Sequence, residues 1–425
     1  MKTITLLVSM ILCISWNANA QNTEAFASRV RYMDNETDPQ KNVASMSNII
    51  REFKLDSIKN AEDIDLLKGE VALSFLRAGI FPKFEYHISL IKNKFNQTSY
   101  LNMGAYWLLK NGAHLDYAEV VAQKTVELYN SFKNDPLARP VDFPIEDWDG
   151  FMKRAIYPYY ETYAEALHAN GKDKSAFFYE EKALQDQQPE HLMQSSVELY
   201  AALLESQGYE DRAYNLLLKM AQVGKSSLKM NTQLRRLCIK RTGSEANASV
   251  FLDSIQRNIN KTYKVETAKK MITNQEAPNF SLLNMNGKRI TLADLKGKIV
   301  VVDFWATWCA PCVASMPAMQ KVVNEHPEVI FLFVATGENG KNEEATARVR
   351  AYIKKNKFPI NVLMDKSTGT NPNMFPMAAA YKLTGIPTKI VIDKHGKLRF
   401  STLAFSSDAE LINELNAMIT IAKEQ

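Results

Sequence analysis

Cys309 and Cys312 stand two residues apart in the stretch ATWCAPC, with Trp308 before the first thiol and Pro311 before the second. Such a pair can ligate a metal, staple a fold or exchange electrons. A structural zinc site needs four ligands, usually from a second C-x-x-C or a histidine pair, and none lies nearby in the sequence. A disulfide across two residues closes almost no loop, so it restrains the unfolded chain very little. Redox chemistry remains. The apolar run from Ile299 to Phe304 reads as a strand at the centre of a sheet, and a helix is expected to follow through about Asn324. Cys309 then lies at a helix N-terminus, where free N–H groups and the helix dipole favour a thiolate. Moving a thiol pKa from about 8.5 to about 7 takes roughly 2 kcal/mol, within reach of one helix terminus and local hydrogen bonds. Cys312, one turn further on, faces the same side and is expected to be less exposed. Cys309 is therefore expected to attack a substrate disulfide, and Cys312 to resolve the mixed disulfide.

The longer stretch VVDFWATWCAPC, with APNFSL upstream and GIPTKIVIDKHGKL downstream, resembles the exported TlpA/ResA-like thiol-disulfide oxidoreductases of the thioredoxin fold, which are grouped with AhpC/TSA-type redoxins. The resemblance covers about Ala277 to Lys423. It implies that Cys309 and Cys312 form the redox disulfide, that Trp308 shields it, and that Pro311 tunes its potential. It implies that Asp303 is a buried carboxylate exchanging the proton of the resolving thiol, and that Pro317 kinks the active-site helix. Pro387, after Ile386, falls at the cis-proline loop where a substrate backbone would pair. Two departures stand out. The inner dipeptide is Ala-Pro, where cytosolic thioredoxin has Gly-Pro, and the second strand, VIFLFVA, offers no lysine to partner Asp303. No cofactor and no metal are implied. The expected partners are protein disulfides and an upstream membrane thiol donor.

The rest of the chain must position or serve this pair. The N-terminus, MKTITLLVSMILCISWNANAQN, reads as a leader cleaved after Ala20: a lysine, a short apolar core and a small-x-small site. Export to the periplasm follows as an expectation. Of four cysteines, Cys13 leaves with the leader, and the three others are too few for a disulfide-stapled scaffold. Cys238, in LRRLCIKR, reads as a buried small apolar residue, with a third redox thiol as the other reading. His87, His114, His168 and His191 show no metal-ligand spacing and read as surface or capping residues.

From about Asp56 to Lys270 apolar residues recur at three- and four-residue spacing, the pattern of helices. Gly79, Gly112, Gly171 and Gly208 each follow an alanine by seven residues (Ala72, Ala105, Ala164, Ala201) and a Phe or Leu by four (Phe75, Leu108, Leu167, Leu204). The first and last intervals approach the roughly 34-residue period of tetratricopeptide repeats. A proline-rich stretch, NDPLARPVDFPIEDWDG, reads as an inserted loop. A non-repetitive bundle is the other reading. Either would serve as a binding or dimerisation surface. Near Asn274 the texture changes to short strands and turns, with Asn286-Gly287 as a hairpin turn. Strands are expected at 299–304, 329–335, 388–392 and 397–401, helices at 343–355 and after Ser407, whose capping box is completed by Glu410.

The expected architecture is thus α plus α/β: leader 1–20, N-terminal segment 21–55, helical repeat-like domain 56–272 and thioredoxin-like domain 273–425. A net charge of +5 over 425 residues, with no concentrated basic block, speaks against nucleic-acid binding. The function read from the sequence is periplasmic disulfide reduction, with the helical half binding substrate or partner. The alternatives are a redox-sensing scaffold and a thiol peroxidase. For the latter, the Pro-x-x-x-Thr-x-x-Cys pattern is not met: Val302 and Ala306 hold its positions and Thr307 is one place off.

Overall fold

The computed structural model describes residues 20–140, 143–356, 361–368, 374–403 and 405–425. The expected leader, apart from Ala20, lies outside them. The chain divides into two compact units, residues 1–213 and 214–425.

The first unit is helical. It contains α1 (Ala20–Asn35), α2 (Pro39–Glu52), α3 (Ala61–Arg77), α4 (Phe81–Ser89), α5 (Lys94–Lys110), α6 (Leu115–Phe132), α7 (Ile145–Ala169), α8 (Asp173–Leu184) and α9 (Gln194–Ser206), and α10 (Glu210–Gln222) begins in it. The segment 21–55 is thus two helices. Asp38 and Asn93 cap α2 and α5 with their side chains, accepting from Gln40 N–H and Asn96 N–H. Helices adjacent in sequence pair as α3–α4, α5–α6 and α7–α8, and α3 touches α5 as α5 touches α7.

The glycine pattern has a mechanical basis. Gly79 adopts φ +74°, a conformation cheap only without a Cβ. Its N–H reaches Leu76 O, and Ile80 N–H reaches back to Phe75 O. This double closure satisfies two orphan carbonyls of α3. The same pair of bonds recurs after Gly112, Gly171 and Gly208. The alanines two turns earlier are all fully buried. The stretch read as an inserted loop is only partly one, because α7 starts at Ile145, just after Pro144, with Glu146 and Asp147 in its first turn. His87, expected at the surface or in a cap, is buried and stacks on Phe75 at 5.2 Å.

The second unit carries a seven-stranded sheet: β1 (Ser281–Asn284), β2 (Arg289–Thr291), β3 (Val300–Trp305), β4 (Ile330–Ala335), β5 (Val362–Met364), β6 (Thr388–Ile392) and β7 (Leu398–Leu403), in the spatial order β2-β1-β5-β4-β3-β6-β7. β3, β4 and β5 are parallel, and β6 and β7 join antiparallel. The helices are α13 (Ala310–Glu325), α14 (Asn342–Asn356), the short α15 (Pro376–Ala380) and α16 (Asp408–Lys423). This is a thioredoxin-like α/β domain extended by the β1–β2 hairpin. Strand alternation splits the core in two. Val301 and Trp305 face α13 and α16, while Val300, Val302 and Phe304 face Phe280, Leu292 and Met377.

The domain limit expected between 272 and 273 falls inside this unit. α11 (Leu228–Thr242) and α12 (Glu245–Ala268) belong to it, and α12 packs along α16. Gln256 Nε2 donates to Asn413 Oδ1 at 3.2 Å, Asn413 Nδ2 donates to Gly224 O at 3.2 Å, and Lys270 pairs with Glu414 at 3.0 Å.

Candidate active site

β3 ends at Trp305, and four residues later Cys309 occupies the N-cap of α13. Its Sγ accepts the N–H of Cys312 at 3.3 Å. The two sulfurs are bonded, with the Cα atoms 5.2 Å apart. Cys309 is buried but for a small exposed edge, and Cys312 is fully buried. Pro311 sits in the first turn of α13, where its missing N–H costs nothing. Pro317 lies inside the same helix.

Beneath the pair is a buried polar chain. Asp303 projects from β3 on the same face as Trp305 and lies in register with Lys389 on β6. Both are fully buried, and Lys389 Nζ stands 3.2 Å from Asp303 Oδ1. The contact is an ion pair rather than an aligned hydrogen bond, since neither Asp303 oxygen has a hydrogen-bond partner among the described residues. Lys389 Nζ also donates to Ser315 Oγ at 3.4 Å, and Ser315 Oγ donates to Cys312 O at 2.8 Å. Burial raises the Asp303 carboxyl above the usual range, and the Lys389 ammonium pulls it part of the way back. The lysine that the second strand lacks is therefore supplied by β6, two residues after Pro387. Its sequence signal was a lone cation inside the apolar strand TKIVI.

The turn before Cys309 is gripped from another side. Thr307 N–H donates to Glu338 Oε1 at 2.6 Å, and Thr307 Oγ1 donates to Glu338 Oε2 at 2.9 Å. Trp308, half exposed, donates its indole N–H to Gly337 O at 2.8 Å. Arg348, on α14, reaches Glu338 Oε2 at 3.3 Å. Neither Glu338 nor Arg348 was singled out by the sequence, because their role depends on a loop contact. The hydroxyl of Thr307 donates to the Glu338 carboxylate.

The Ile386–Pro387 peptide bond is cis. Ile386 packs against the apolar cluster that holds Cys309 and Cys312, so the structure brings the cysteines, Asp303, Trp308, Pro311 and the Ile386–Pro387 turn into one region. Cys238 stays apart on α11. It is buried as expected, and burial pushes its thiol up, away from thiolate chemistry.

The AhpC/TSA family profile matches residues 273–401. The thiol-disulfide oxidoreductase ResA of Bacillus cereus is 34% identical over 129 residues, 30% of this chain and 68% of that protein. The chain belongs to the AhpC/TSA family. Thioredoxin-like protein YneN of Bacillus subtilis is 35% identical over 125 residues, 29% of this chain and 68% of its own length. Among solved structures, a thiol:disulfide interchange protein of the thioredoxin family from Chlorobium tepidum covers 35% of this chain and 95% of its own, at 28% identity and a TM-score of 0.29. This AhpC/TSA-family protein is a thiol-disulfide oxidoreductase, and its family likeness lies wholly within the second unit.

Proposed function

We propose that this oxidoreductase works outside the cytoplasm as a reductant of protein disulfides. The observation that carries the reading is the placement of Cys309 Sγ at the N-terminus of α13, accepting the Cys312 N–H, with the Asp303–Lys389 pair buried behind. The reduced Cys309 thiolate attacks one sulfur of a substrate disulfide. A mixed disulfide forms, and the other substrate sulfur leaves as a thiolate that takes up a proton. Cys312 then gives its proton toward Asp303 and attacks Cys309 Sγ. The second substrate sulfur leaves and is protonated, and two electrons have passed from the dithiol to the substrate. Trp308 and the Ile386–Pro387 turn border the cysteines and serve as the substrate's docking edge, with Pro311 setting the turn between the thiols. The leader-like N-terminus supports export, and the electrons would come from a membrane thiol donor. The first unit, with its stacked helix pairs of tetratricopeptide-like spacing, would hold the substrate or partner.

The test is the reduction potential of the Cys309–Cys312 pair in glutathione or dithiothreitol buffers. A value at or below about −270 mV supports the reductant, and one near −120 mV makes the protein a disulfide donor instead.

A further inference from the structure

Glu338 stands in the loop after β4, with its side chain almost wholly buried. Each of its carboxylate oxygens is engaged. Oε1 takes the Thr307 N–H, while Oε2 takes the Thr307 hydroxyl and the Arg348 guanidinium. Next to it, Gly337 O holds the Trp308 indole. Gly337 has φ +66°, which turns that carbonyl into reach of the ring. Satisfying one backbone N–H and one hydroxyl does not need a charge; an amide or a hydroxyl would do both. A buried carboxylate here is a costly choice, and it binds Thr307, two residues before Cys309.

We infer that Glu338 is a positioning residue that clamps the Thr307–Trp308 turn and, with Arg348, sets how readily Cys309 ionises. The inference rests on the reading of Cys309 as the attacking thiol. Charges reach this region from several elements. The N-terminus of α13 favours the thiolate. Glu338 disfavours it, and Arg348 offsets Glu338. The Asp303–Lys389 pair lies beneath Cys312, and its two charges largely cancel. A low-dielectric setting leaves the Glu338 charge weakly screened. Its negative charge therefore keeps the Cys309 thiolate from becoming too stable. A less stable thiolate makes the disulfide harder to reduce and the dithiol the stronger reductant.

The charge can be removed without losing the clamp. In Glu338→Gln the amide oxygen still accepts the Thr307 N–H and the Thr307 hydroxyl can accept from the amide nitrogen, while the Arg348 guanidinium, a donor only, loses its acceptor at the replaced Oε2. Arg348→Met removes the offsetting cation. The Arg348 side chain is 42% exposed, and since its loss leaves the buried Glu338 without its cation, urea unfolding of Arg348→Met is measured alongside to show that the variant is folded. The full chain is reduced and freed of reductant. Cys309 alkylation by iodoacetamide is then followed against pH by peptide mass, and the equilibrium constant with glutathione is measured. Glu338→Gln should lower the alkylation midpoint by about one pH unit and shift the equilibrium constant about tenfold toward the dithiol. For a two-electron couple that is roughly 30 mV. Arg348→Met should move both quantities the other way. Midpoints and equilibrium constants within twofold of wild type in both variants would overturn the assignment while leaving the dithiol reading intact. Should Glu338→Gln fail to fold, the Arg348→Met shift alone decides. Preferential labelling of Cys312 in the wild type would overturn the underlying reading, and the inference with it.

Discussion

Lys389 occupies a fully buried position on β6, opposite Asp303 in the β3–β6 register. Its partner Asp303 has a folded-state carboxyl raised above its unfolded value by burial. Such a group stabilises the fold fully below its unfolded pKa, and that contribution is lost as pH rises through the folded pKa. Above it, the ionised carboxylate depends on Lys389. Lys389→Met should therefore destabilise the second unit by about 3–5 kcal/mol at neutral pH. The loss should shrink in acid as Asp303 becomes neutral. Urea unfolding across pH 4–8 checks this, and a pH-independent loss would mean the lysine acts through packing. The sequence displayed one member of this pair and hid the other. Asp303 was legible from its place six residues before Cys309. Lys389 was not, because pairing across an antiparallel register depends on which strands are neighbours. Glu338 was hidden for the same reason, since only the folded loop brings it to Thr307.

Among the elements, those with long or unbroken apolar patterns were readable. β3, β4 and α14 lie within a residue of expectation, and Ser407 does cap α16. β5 and α15 escaped notice: three and five residues are too few to show a period. The four glycine closures were visible as spacing, but their bonding was not. The helix α3 offers a test of its own. Glu70 is buried there, and burial pushes its carboxyl from 4.5 to about 7, with Asp34 adding to the rise. Tyr100 donates to it at 3.3 Å, and its other oxygen has no partner among the described residues. The sign follows as for Asp303. The favourable contribution is complete below about pH 4.5 and is lost as pH climbs through 7. Glu70→Gln should flatten that dependence and stabilise the first unit by up to about 3 kcal/mol at pH 8. Thermal unfolding of variant and wild type at pH 5 and pH 8 measures it; equal gains at both would remove the charge from the explanation.

For the whole molecule, the sequence conveyed a helical half and a redox half, and the compact unit that holds the redox half also takes in residues 214–272. Apolar periodicity reports that a helix face is buried and says nothing of what buries it. Here α12 lies on α16, with Ile259 buried on the helix. A fragment 214–425 should fold and retain disulfide exchange at Cys309. A fragment 273–425, which begins at the limit read from the sequence, should lose about 2 kcal/mol or more, the burial of one large aliphatic side chain at least. Urea midpoints of the two fragments decide it, and equal midpoints would make α12 a passenger.

The α12–α16 seam also bears on when structure forms. Gln256 and Asn413 meet across a sequence separation of 157, whereas the helix pairs of the first unit join neighbours in sequence. Contacts between neighbours close quickly, and distant ones wait for the loop between them to be ordered. A chain emerging from its N-terminus would therefore present a formed helical half beside a redox half still open, with Cys309 and Cys312 accessible to oxidants before their core has shut. The order of maturation, rather than the final potential, would then govern which sulfur finds which partner first.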